Sequence, residues 1–95
     1  MTGKNELLER IEDRYDKMSK GQKRLADYIR ASYEKAVFMT ASRLGEVVGV
    51  SESTVVRFAV VLGYKGYPQF QKALEELVSN RLNFIQRMEV TYGRV

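Results

Sequence analysis

An all-α fold is predicted by three features of this 95-residue chain. Apolar residues recur at helical spacing along most of its length. Serine or threonine stands at the point where several of these stripes begin, the position of an N-cap. Glycine stands where two of them stop, at Gly49 and Gly63, the C-terminal signal of a helix. The expected architecture is a five-helix bundle that contains a helix-turn-helix and ends in a long C-terminal helix.

Within residues 1–17 the first stripe is Leu7, Leu8, Ile11 and Tyr15, along one helical face, while Met1 to Lys4 have no periodic partner and are expected to fray. Glu6, Glu9, Arg10, Glu12, Asp13 and Arg14 form a mixed-sign face that reads as solvated. Ser19-Lys20-Gly21-Gln22 fits a capping box, in which the Gln22 side chain reaches back to the Ser19 amide. The helix it opens turns Leu25, Ala26, Tyr28 and Ile29 inward. Lys20, Lys23, Arg24 and Arg30 remain outside, either as phosphate contacts or as an ordinary charged face. Between Tyr33 and Met39 there is no polar turn cluster, so Ala36, Val37, Phe38 and Met39 are expected to fold onto the core.

Thr40 to Gly63 organises the rest. Thr40 caps a short helix that stops at Gly49, and Ser51 caps the next, which runs to Leu62 and stops at Gly63. The turn is about three residues long, the length that joins the two helices of a helix-turn-helix. Gly45 lies where a side chain would hold crossing helices apart, and Val55 is placed to plug the angle between them. Along the second helix Val55, Phe58, Ala59 and Leu62 share one apolar stripe. Ser53, Thr54, Arg57, Val60 and Val61 lie on the other side. Short hydroxyls and unpaired amides at a helix N-terminus suit phosphates and base edges. Arg57 is long enough for a guanine edge or a phosphate, or for a surface ion pair with Glu52 or Glu46.

In the loop Gly63 to Pro68, the proline suits the first turn of a following helix, where no amide is needed. Tyr64 and Tyr67 either meet sugar and phosphate or pin the loop to the core; Lys65, at the tip, is the phosphate candidate. Phe70, Ala73, Leu74, Leu77 and Val78 continue at helical spacing and close the core. Leu82, Phe84, Ile85 and Met88 prolong that stripe, either packing back on the first helix or serving as a dimerisation or linker segment.

Composition removes whole classes of function. Without cysteine there is neither a disulfide framework nor a thiolate metal site. Without histidine the usual general base, the Ser-His and Cys-His mechanisms and most zinc sites go too. There is no phosphate-cradling loop and no paired acid–base site, so the expectation is a non-enzyme without metal or cofactor. No apolar run approaches the ~20 residues that span a bilayer, and no signal-peptide core is seen; a cytoplasmic protein without membrane contact is expected. The net charge of +4 leans mildly towards an acidic partner.

The segment L-G-E-V-V-G-V-S-E-S-T-V-V-R-F-A-V-V-L-G-Y-K-G-Y-P-Q-F-Q (Leu44 to Gln71) resembles the N-terminal helix-turn-helix domain of RpiR-type bacterial transcription regulators. Its specific parts are G-V-S-x-x-T-V-V-R-F (Gly49 to Phe58) and L-G-Y-x-G-Y (Leu62 to Tyr67). S-K-G-Q-K-R-L-A-D-Y-I (Ser19 to Ile29) also resembles that family's second helix, so the likeness covers roughly Leu7 to Leu77. It implies sequence-specific binding of operator DNA by a homodimer or higher homo-oligomer. It also implies a phosphosugar effector held by a following sugar-isomerase-like domain, which this chain lacks. Two departures stand out: Gly45 where alanine is common, a change expected not to disturb the crossing, and Val60 and Val61 where basic residues are frequent. The candidate DNA-binding residues are Thr40, Ser51, Glu52, Ser53, Thr54, Arg57, Tyr64 and Lys65. Residues 1–80 are read as the DNA-binding domain and 81–95 as a C-terminal helical extension, linker or dimerisation segment. The alternative function is a helical protein-interaction or oligomerisation module that has lost DNA binding.

Overall fold

In the computed structural model, the backbone is described for residues 6–93 and the side chains for residues 6–80. Five α-helices and one 3-10 turn account for the secondary structure, and no strand occurs among the described residues. The helices are α1 (Glu6–Arg14), α2 (Lys20–Ala36), α3 (Ala41–Val48), α4 (Glu52–Val61) and α5 (Tyr67–Gly93), with the 3-10 turn Tyr15–Lys17 after α1. The all-α expectation holds.

The starts of α2, α3 and α4 each follow from a local capping hydrogen bond. At α2 the capping box is complete: Gln22 N donates to Ser19 Oγ at 3.2 Å, and Ser19 N donates to Gln22 Oε1 at 3.1 Å. Two orphan amides are satisfied reciprocally. Pro68 lies in the first turn of α5, where an amide would have no helical partner.

Packing gathers one face of every helix. Leu7 and Ile11 of α1, Leu25, Ala26 and Ile29 of α2, Leu44 of α3, Val55, Phe58 and Ala59 of α4, and Phe70, Leu74 and Leu77 of α5 are buried. At the centre, Phe58 and Phe70 meet edge to face, with centroids 5.8 Å apart and planes at 80°, a geometry favoured by the aromatic quadrupole. Met18, just after the 3-10 turn, is buried as well. Tyr28 is only half-buried. Leu82, Phe84, Ile85 and Met88, the extended stripe of the sequence reading, have side chains outside the described residues, and Met1 to Lys4 lie outside them.

The corner between α2 and α3 departs from expectation. Helix α2 bends at Ser32 (φ −143°, ψ 39°), so its last turn is redirected. Ala36 and Val37 then reach the core, and Met39 packs partly against it. Phe38 does not: it is 86% exposed. The chain turns here through Phe38 N to Lys35 O and Met39 N to Ala36 O bonds. With buried side chains on one side of so tight a turn, the intervening residue faces out. Apolar composition alone could not reveal that phase.

Candidate nucleic-acid interface

Helix α3 begins where Arg43 N donates to Thr40 Oγ1 at 3.1 Å. It ends at Gly49, whose φ of 87° is left-handed and costs glycine little. Gly49 N and Val50 N both donate to Gly45 O, at 2.8 and 2.9 Å, folding the turn back over Gly45. A Cβ at residue 45 would lie 2.7 Å from Val50 O. The expectation that a side chain at residue 45 would hold the crossing helices apart is met in a specific form: the turn carbonyl of Val50 occupies the space a methyl group needs. Val55 is fully buried, as the plug of the inter-helix angle must be.

Helix α4 begins where Thr54 N donates to Ser51 Oγ at 3.1 Å; the two hydroxyls, Ser51 Oγ and Thr54 Oγ1, also lie 2.9 Å apart. Thr40 and Ser51 are thus engaged as caps. Thr54 is half-buried, and Glu52, Ser53, Val56, Arg57, Val60 and Val61 are exposed. At ~100° per residue, Ser53, Arg57 and Val60 lie within ~60° of one another, opposite the buried stripe, with Val56 on one flank and Val61 on the other. Among the described residues Arg57 makes no ion pair: Glu46 pairs instead with Arg43, at 3.0 Å on the exposed side of α3. The guanidinium is therefore available at the centre of the outward face.

Beyond α4 the chain turns at Gly63, with φ 95°. Arg10 Nη1 donates to Leu62 O at 2.8 Å, its guanidinium carbon lies 4.7 Å from the Tyr64 ring centroid, and it pairs with Glu6. A Cβ on Gly63 would lie 2.7 Å from Arg10 Nη1. Arg10, read as part of a solvated face, therefore holds the C-terminal end of α4 from fifty-two residues away. Nothing local in the charge pattern of α1 singles it out. Tyr64 is half-buried between Arg10 and Phe70, 6.0 Å from the latter's centroid. Burial raises its phenol pKa, against the opposing pull of Arg10. Tyr67 is buried and donates to Met39 O at 2.7 Å. Burial pushes its pKa up to about 12, so it stays a neutral donor through the ordinary pH range. Lys65 is exposed at the loop tip.

One neighbour of this surface carried no distinctive sequence signal. A Cβ at Gly21 would lie 3.3 Å from Val50 Cγ1 and 3.5 Å from Thr54 Cγ2. The first turn of α2 therefore borders the N-terminus of α4, and the exposed Lys20 precedes the point of contact. In sequence it could not be told from Lys23, Arg24 and Arg30.

Residues 5–81 match the family described as the helix-turn-helix domain of the rpiR family. This chain belongs to the RpiR family. The HTH-type transcriptional regulator YfhH of Escherichia coli is 40% identical over 77 residues, covering 81% of this chain and 27% of that protein. The HTH-type transcriptional regulator HexR of Pseudomonas aeruginosa is 30% identical over 79 residues, covering 83% of this chain and 28% of the relative. Among solved structures, the NanR protein of Vibrio vulnificus, complexed with ManNAc-6P, superposes with a TM-score of 0.73 at 32% identity. That match covers 87% of this chain and 32% of NanR. The RpiR chain thus spans roughly a quarter to a third of the length of these proteins.

Proposed function

We propose that this chain is the sequence-specific DNA-binding domain of a transcription regulator, with α4 seated in the major groove of duplex DNA. The observation that carries the reading is the outward face of α4, where Ser53 and an Arg57 without an ion pair among the described residues stand opposite a fully buried stripe. A groove about 12 Å wide admits such a helix, and arginine is the side chain that most often reads guanine there. Glu52 and Thr54 flank that face at the helix N-terminus. The capped starts at Thr40 and Ser51 supply helix N-termini for phosphates. Lys65 contacts the backbone from the loop, Lys20 does so from the border of α2, and Tyr64 supports the loop between α4 and α5.

The same proposal extends to assembly and location. Residues 1–80 act as the reading domain, and 81–95 prolong α5 as a linker or pairing segment between two copies, since one recognition helix reads few base pairs. A phosphosugar effector, the class of ligand named in the NanR complex, would act through sequence outside the matched region. The location proposed is the cytoplasm, without membrane contact; no described helix is long and apolar enough to cross a membrane. No enzymatic role is proposed.

A second reading, a helical protein-interaction module, draws support from the valines exposed on α4. Titration against mixed duplex DNA at two salt concentrations separates the two. A DNA reader loses affinity steeply with salt as phosphate counterions are released; an interaction module shows no duplex affinity at either.

A further inference from the structure

Of the five large apolar side chains exposed among the described residues, Phe38, Val47, Val56, Val60 and Val61, three stand on α4. They are 38%, 54% and 40% exposed for Val56, Val60 and Val61. A solvent-facing helix gains nothing from them: valine is a poorer helix former than the straight-chain residues that usually fill such positions. Val56 and Val60 are neighbours four residues apart on α4, but Val61 is turned ~100° away from Val60, so the apolar surface is a pair of valines rather than a broad patch. Val56 and Val60 are interleaved with Ser53 and Arg57, so each presents its methyl groups beside a polar side chain. A protein groove would be matched by a contiguous stripe with a large anchor, and α4 exposes no aromatic residue. The floor of the major groove has the alternating character that fits: hydrogen-bonding edges, and at each thymine a single C5-methyl group.

We infer that Val56 and Val60 are specificity residues that read thymine methyl groups beside the base edge met by Arg57. This rests on the seating of α4 in the major groove proposed above. It also gives a role to Val60, one of the two valines that stand where basic residues are frequent in the resembling sequences. Four residues of helix rise by about 6 Å, close to two base steps of about 3.4 Å. The preferred half-site should therefore carry two thymine contacts about two steps apart.

The test begins with selection of a preferred site from random duplexes by the intact chain. Each thymine of that site is then replaced in turn by deoxyuridine, which removes the methyl group and leaves the pairing edge unchanged. At two positions the replacement should weaken binding about fourfold, the effect of one buried methyl group at ~0.8 kcal/mol. Val56→Ala should abolish the penalty at one position and Val60→Ala at the other, with melting temperature and salt dependence unchanged. Loss of the penalty in the valine variants, with Arg57 still required, supports the inference. If every thymine tolerates uracil, or the penalties persist in both variants, the valines do not read methyl groups, and Arg57 dependence alone then reports on the placement of α4. Absence of salt-dependent duplex binding by the wild-type chain overturns the groove reading and this inference together.

Discussion

The two connections that flank α3 are built on different principles. The α3–α4 turn is held by its own residues: Gly49 and Val50 both donate to Gly45 O, and Ser51 caps the helix it precedes. The α2–α3 corner turns through local backbone bonds but is also tied down from a distance. Tyr67 Oη donates to Met39 O, while Gln71 Nε2 lies 2.9 Å from Val37 O and 3.2 Å from Met39 O. These donors come from α5, twenty-eight to thirty-four residues away. Local chemistry therefore sets the turn that aims α4, while tertiary contacts tie down the corner that delivers the chain to it.

That contrast can be broken first at the corner. Tyr67→Phe with Gln71→Leu leaves the carbonyls of Val37 and Met39 without their side-chain donors. A stability loss of about 2–4 kcal/mol is expected, about 1–2 for each of the two part-buried carbonyls left poorly satisfied. Chemical denaturation measures it, and a loss below about 1 kcal/mol would show that the corner holds without α5. Inside the turn, Gly45→Ala should cost about 1–3 kcal/mol, because a methyl group 2.7 Å from Val50 O forces the backbone to move. The same unfolding curves decide this; an unchanged midpoint would mean that α3 and α4 can separate freely. Gly49→Val should cost more than about 1 kcal/mol. Its surroundings are open, with nothing within 4 Å of a Cβ, so the penalty is wholly that of a β-branched residue at positive φ. The smallest effect belongs to Phe38→Ser, expected within about 0.5 kcal/mol of wild type because the ring is exposed. A loss of about 3 kcal/mol or more, the scale of a core phenylalanine, would return Phe38 to the core.

What the sequence made legible follows the same division. Thr40, Gly49 and Ser51 could be placed because caps and a left-handed glycine act over three or four residues, and the composition at those positions is specific. The buried stripe of α4 was legible because periodicity is local too. Arg10 was not, because its partners, Leu62 O and the Tyr64 ring, adjoin it only after folding. Phe38 was misplaced because an apolar run says that residues can enter a core, not which of them a bend at Ser32 will turn away. At Gly45 the need for a small residue was legible from its place before the turn, but the obstructing atom was not: it is the backbone carbonyl of Val50, which no residue type announces. Of the candidate interface, the outward residues of α4 could be read from helical phase, while the support of its C-terminal end could not.

The central claim is that α4 reads DNA through its outward face, and Arg57→Ala tests it most directly. Binding by this variant and by Lys65→Ala should be measured on a selected site and on random duplex, at two salt concentrations. Arg57→Ala is expected to weaken the selected site by about 1–3 kcal/mol with much less effect on random DNA, whereas Lys65→Ala weakens both alike and lowers the salt slope by about one. An Arg57→Ala chain that discriminates the two duplexes as well as the wild type would contradict the placement of α4 in the groove.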